Sequence, residues 1–270
     1  RWLASPYMLR FMAAVLLFRI VLSEQTVGAV GLMTVLGQGN EQMRTLFALA
    51  AAATLTGFVL ALAIAARGGV QLLAILAIVL IIAAAHADAG ASAATRPAQL
   101  YLTQTALSLA LALFFAAACL LGFGPVMQDG GRQLVSFLAA FTTCQYMGSR
   151  LGSAWMGTLV AERQQWHYAA LVPQLQGPDP EVAARIAQLA GSLRPALADA
   201  GARAAQGAGL LARQVAQEST VLAYNDVFQT IAVLGTAMLV WLAVLAWRSA
   251  RRTSTGRTPA PPAAARTSTP

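Results

Sequence analysis

The sequence predicts an all-α integral membrane protein with six transmembrane helices. Three observations carry that prediction. Pro97 to Gln128 is an unbroken run of 32 residues without a charge. A bilayer core about 30 Å thick is crossed by roughly 20 apolar helical residues, and a soluble helix has no need of such a run. The 270-residue chain is 58% hydrophobic and only 10% charged, with a mean hydropathy of +0.63, whereas soluble domains carry about 25% charge. Finally, other long stretches come close to the same uncharged pattern. Lipid offers no partner to open backbone N–H and C=O groups, so each run must close its own hydrogen bonds as a helix. The runs are also too long for barrel strands.

The first span runs from about Phe11 to Leu36 and contains Arg19 and Glu24. The second, Thr45 to Ala66, lies between Arg44 and Arg67, and the third, Val70 to Ala87, ends at Asp88. Gln99 to Gly122 is the fourth. Gln133 to Ala161 is the fifth, interrupted only by Arg150. The sixth, Leu222 to Trp247, has Asp226 near its start and Arg248 at its end. Residues 1–161 are thus read as a five-span membrane domain (11–36, 45–66, 70–87, 99–122 and 133–161). Beyond it come an extracytoplasmic helical loop over 162–221, a last span over 222–247 and a disordered cytoplasmic tail over 248–270.

An even span count puts both ends of the segment on one side. Near the span ends that side carries eight Arg, against four on the other. Basic residues accumulate on the cytoplasmic side, so both termini are expected there. The net charge of +8 is read the same way, as Arg bracketing the apolar runs, and no nucleic-acid partner is expected.

Glu162 to Val221 is then extracytoplasmic and patterned. Asp179-Pro180-Glu181 reads as an N-cap, a first-turn Pro and a first-turn acid. Val182, Ile186, Leu189 and Leu193 recur at helical spacing. Arg194-Pro195 ends that stripe, Gly207 and Gly209 weaken the next stretch, and Leu210 to Thr220 leads helically into the last span. The segment is either a helical hairpin capping the membrane domain or a docking surface for an outer partner. The Arg-, Thr-, Ser-, Pro- and Ala-rich tail is expected to be disordered. Because the chain starts at Arg1 rather than Met, it is expected to be a piece of a longer protein.

Charges inside spans are costly and usually face a cavity or a partner. Arg19 and Glu24 are therefore substrate- or proton-pathway candidates. Their five-residue separation is about 140° of helical rotation, which does not make an i,i+4 pair. Either Glu24 carries a proton in a transport pathway, or the two residues are static tethers to other helices. Gln104, Gln145 and Tyr146 either line a substrate cavity or make interhelical hydrogen bonds. Gly148 and Gly152 form a G-x-x-x-G step, the kind of small face that lets helices pack closely. Arg150, between them, either joins the pathway or snorkels to the membrane surface. Asp226 is read first as an acid near a helix N-terminus, favoured by the dipole, and second as a proton relay.

Nothing points to an enzyme. H-E-x-x-H, P-loop and G-x-S-x-G patterns are all missing from the sequence. Cys119 and Cys144 lie in apolar runs and read as small hydrophobes. His86 and His167 have no metal-ligand spacing. No metal or cofactor is expected.

Phe137-Leu-Ala-Ala-Phe-Thr-Thr-Cys-Gln-Tyr-Met-Gly-Ser-Arg-Leu-Gly-Ser-Ala-Trp155, continued by Thr158-Leu-Val-Ala-Glu-Arg163 and His167, resembles the penultimate span of EmrB/QacA-type transporters. These are the 14-span drug:proton antiporters of the major facilitator superfamily. Gln214-Val-Ala-Gln-Glu-Ser-Thr-Val-Leu-Ala-Tyr-Asn-Asp-Val-Phe228 resembles the family's entry into its last span. Ala66-Arg67-Gly68-Gly69 is similar to a degenerate short cytoplasmic Gly/Arg loop. The resemblance implies the C-terminal, six-span half of a major-facilitator-like exporter, whose halves meet around a midplane cavity. It further implies proton-driven efflux of amphipathic drugs or toxic organic compounds across a bacterial inner membrane. The partners it implies are the N-terminal half, a periplasmic adaptor and an outer-membrane channel. The family's best-known signatures belong to its N-terminal half, so no proton-site residue is carried over. The other reading is a non-transporting membrane scaffold or assembly subunit.

Overall fold

Ser5 begins the first helix. Its hydroxyl accepts a hydrogen bond from the Met8 amide at 3.3 Å, and Pro6 stands at the first helical position. That position suits proline, because its missing N–H would have had no helical partner. The computed structural model describes residues 5–128, 130–175, 179–193 and 199–255. Among them all regular structure is helical.

Helix α1 covers Pro6–Val21. A 3-10 turn at Leu22–Glu24, a π turn at Gln25–Ala29 and the short helix α2, Val30–Val35, continue the same rod. The whole of Pro6–Val35 is one apolar span. Helices α3 (Arg44–Ala66) and α4 (Val70–Asp88) follow one another through a short link. Their link is tight because Gly68 takes φ +80° and its amide closes on the Ala65 carbonyl at 2.9 Å. A left-handed residue of this kind ends helices, and only glycine adopts it without strain. A 3-10 turn at Pro97–Leu100 then opens α5, Tyr101–Gln128. The Gln99 side chain accepts from the Arg96 amide at 2.9 Å and so caps the turn. Helix α6 spans Leu134–Leu175, α7 spans Pro180–Ser192 and α8 spans Ala200–Thr255.

Among the described residues, five helical stretches are long and apolar enough to cross a membrane: Pro6–Val35, Arg44–Ala66, Val70–Asp88, Pro97–Gln128 and Ala200–Arg248. The expected fifth span, 133–161, falls inside α6, which is long enough but not among these five. Gln145, Ser149, Arg150 and Ser153 interrupt its apolar character. Packing compensates, since α6 lies against α1 on one side and α8 on the other.

Helix α5 is the most enclosed of the five spans. It packs between α3 and α4, and its Phe114 ring stacks on Phe18 of α1 with centroids 3.5 Å apart. At one end of the bundle Phe11, Phe123, Phe137 and Phe141 gather around Val126. At the other end Leu32, Met33, Met43, Leu100, Tyr224 and Phe228 form a second apolar cluster. The Asn225 amide ties the α4–α5 loop to α8 by donating to the Ala91 carbonyl at 2.8 Å.

Between residues 162 and 221 the described residues are helical, but most of them belong to helices continuous with the bundle. Helix α6 continues unbroken to Leu175, and α8 is already helical at Ala200. The segment is therefore mostly two prolonged helices, with α7 laid against α8. At about 1.5 Å per residue the 56 residues of α8 extend ~84 Å, well past the ~30 Å of an apolar bilayer core. Asp179 caps α7 as its sequence suggests, accepting from the Glu181 amide at 2.8 Å. Gly207 does not interrupt α8. It lets α7 come close, for a Cβ there would stand 2.7 Å from the Ile186 carbonyl oxygen. Helix α8 also runs eight residues into the expected tail, to Thr255. The remainder of that tail and the Arg194-Pro195 break lie outside the described residues.

Candidate functional site: a buried carboxyl pair and a cationic groove

Glu24 is fully buried where the 3-10 turn of the first span gives way to the π turn. Irregular helical turns of this type concentrate at functional sites. Its carboxyl faces that of Asp88, the last residue of α4, which is 3% exposed. Neither Glu24 oxygen receives a hydrogen bond from a donor. Around Asp88 the donors are neutral. Gln104 Nε2 donates to Asp88 Oδ2 at 3.2 Å, while the neighbouring Thr103 hydroxyl donates to the Leu100 carbonyl at 3.1 Å. Gln25 closes the cluster by donating to the Ser108 hydroxyl, which donates in turn to the Gln104 carbonyl at 2.9 Å. The α8 side is sealed by aromatic rings against small residues. Phe228 lies over Gly28, and Tyr224 over Gly31. Two acids are thus buried together among amides and hydroxyls, and among the described residues no cation forms a salt bridge with either. Burial of this sort is costly and marks a candidate functional site.

Arg19 turns elsewhere. It lines an open groove of about 520 Å³ between α1, α5 and α6, together with Gln145, Tyr146, Thr142, Phe115 and Phe141. The Arg19 Nε and the Gln145 Oε1 are both buried without a hydrogen-bond partner. The structure therefore separates the predicted residues into two sites. Glu24 and Gln104 join the carboxyl pair, whereas Arg19, Gln145 and Tyr146 share the groove. Arg150 belongs to neither and is exposed on α6.

Gly148 and Gly152 are the strip on which α6 meets the first span. A Cβ at Gly148 would stand 2.7 Å from the Leu16 carbonyl oxygen. At Gly152 it would stand 2.9 Å from Ile20 Cα and would overlap the Ser23 hydroxyl.

Asp226 is not near a helix N-terminus, because α8 begins at Ala200. The dipole account of this residue is thereby corrected. Its Oδ2 instead meets His167 Nε2 at 2.9 Å and Arg163 Nε at 3.7 Å, both on the prolonged part of α6. The Arg163 side chain is 48% exposed and the His167 side chain 15%, and exposed pairs contribute little. In a double-mutant cycle monitored by thermal unfolding, His167→Ala and Asp226→Ala should couple by about 1 kcal/mol. Arg163→Ala and Asp226→Ala should couple by less than about 0.5 kcal/mol.

Sequence reading placed Asp88 only as the end of a span and passed over Gln25, Thr103 and Ser108. A weak signal for Asp88 was present. It closes the third span just before the turn from which the fourth, bearing Gln104, descends, so both must lie at one end of the bundle.

Fold and site together define a multi-pass, all-helical membrane protein with a buried carboxyl pair beside a cationic groove. No family model, no curated protein and no solved structure matches the chain.

Proposed function

We propose that the chain is the C-terminal, six-span half of a proton-coupled secondary transporter that exports amphipathic drugs or toxic organic compounds. One observation supports this most directly: the Glu24 and Asp88 carboxyls face one another in an apolar setting, and the Glu24 oxygens lack any donor. A proton held between them supplies the missing hydrogen bond and removes the like-charge repulsion. Loss of that proton leaves two facing anions and favours a state in which the helices part. Proton occupancy then biases two conformations by differential affinity, which is what coupling requires. The acids lie on the first span and α4, and Gln104 of α5 is bonded to Asp88, so separation of the acids is felt by three helices at once.

The groove bearing Arg19 is the corresponding surface for substrate, and a six-span half would place it against the N-terminal half at the midplane cavity. That arrangement, the bacterial inner membrane, the cytoplasmic termini and the periplasmic adaptor with its outer-membrane channel are drawn from the EmrB/QacA resemblance. The helices prolonged beyond the bundle are the natural contact for such an adaptor.

The test is a reconstitution of the complete encoded protein into proteoliposomes enclosing a pH-sensitive dye. An amphipathic compound presented to the substrate-binding side should drive protons the opposite way, and a protonophore should abolish the signal. A non-transporting scaffold gives no substrate-linked proton movement with any compound of an amphipathic panel, and that result would reject the reading.

A further inference from the structure

We infer that the groove between α1, α5 and α6 selects amphipathic organic anions with a planar aromatic body. This names the substrate class of the transport reading and rests on that reading only for the steps after binding. The groove combines one cation with aromatic walls. Arg19 enters from α1, with its Nε buried and unpaired. No acidic side chain lines the groove, and among the described residues none forms a salt bridge with Arg19. Glu24, the nearest acid in sequence, is engaged with Asp88 in the closed pocket. The positive charge is therefore left without a counterion in an apolar setting, which is costly unless a ligand supplies one.

A guanidinium presents a planar fork of donors that matches a carboxylate or sulfonate with two parallel hydrogen bonds. Beside it, Phe115 and Phe141 stand edge to face with centroids 5.9 Å apart. Such rings take up a flat apolar body by stacking or edge contact. Gln145, whose Oε1 is buried without a donor, and Tyr146, which is 70% exposed, add polar groups to the lining. A cationic amphiphile fits this arrangement poorly, since it would add a second positive charge beside Arg19 with no acid to balance either.

The experiment is a binding measurement on the purified complete protein in phosphatidylcholine nanodiscs. Radiolabelled 2-naphthoate is compared with its neutral amide and with 2-naphthyltrimethylammonium. Wild-type protein should bind naphthoate at least about tenfold more tightly than either analogue. Arg19→Gln should erase that preference, and Arg19→Lys should recover part of it, because a point charge keeps the attraction but loses the fork. The wild-type comparison decides the matter even if an Arg19 variant fails to fold. Equal or tighter binding of the cation would overturn the proposal. So would naphthoate binding that is lost when phosphatidylglycerol replaces phosphatidylcholine, which would make a lipid headgroup the occupant. Since the readout is binding, a protein that binds naphthoate yet moves no protons refutes the transport reading and leaves this inference standing.

Discussion

Glu24→Gln in the complete protein should reduce proton-coupled efflux to the rate of protein-free liposomes while leaving the fold intact. The side chain keeps its length and volume, so the packing against Gly28 and Phe228 survives. Its new amide donates to the Asp88 carboxyl that Glu24 faces. One of two opposed acids is removed and a donor is added, so unfolding stability should stay within about 1 kcal/mol of wild type or rise. What disappears is the proton, and with it the difference between two charge states that biases the conformations. The measurement is substrate efflux under an imposed pH gradient, alongside thermal unfolding in detergent. Glu41→Gln is the control, for Glu41 is exposed in the loop after α2 and should behave as wild type. Full pH-driven efflux by Glu24→Gln would remove the pair from the coupling mechanism.

Gly152→Leu should strongly destabilise the helical bundle. A Cβ alone at this position would overlap the Ser23 hydroxyl and lie 2.9 Å from both the Cα and the carbonyl oxygen of Ile20. Those last two are backbone atoms, which cannot rotate away as a side-chain end can. Helix α6 must therefore move off the first span, taking with it the contact at Gly148. Overpacking of this kind costs about 3 kcal/mol, and the loss of close packing between helices adds to it. Gly152→Ala should cost less, about 1 kcal/mol. Gly157 on the same helix supplies the contrast, since nothing lies within 4 Å of a Cβ there. Gly157→Ala should be neutral or slightly stabilising, because alanine is the better helix former by about 1 kcal/mol. Thermal unfolding of the three variants checks the series. An unchanged melting temperature for Gly152→Leu would mean that α6 and the first span do not meet there.

Segments whose environment is uniform were legible before the fold was known. The second and third spans were placed within one residue, at Arg44–Ala66 and Val70–Asp88, because lipid demands an apolar run of fixed length and charges mark its ends. The cap of α7 was equally plain, since Asp179-Pro180 acts through its own neighbouring amides. Legibility failed where one stretch serves two surroundings. Helices α6 and α8 turn polar beyond the bundle, so the sequence suggests a helical loop set between two spans and not the unbroken continuation of both helices. The same continuity placed Asp226 deep inside a helix rather than near its start.

Composition and hydropathy by themselves pointed to an all-helical membrane protein, because lipid leaves the backbone only helices or closed barrels and the apolar runs are too long for barrel strands. They also singled out Glu24 and Arg19, because a charge within an apolar run is conspicuous in one dimension. Which residue each of them faces was decided only by the three-dimensional packing. A five-residue step turns Arg19 and Glu24 to different sides of one helix, and it is the approach of α4 and α5 that gives Glu24 an acid for company and leaves Arg19 with none.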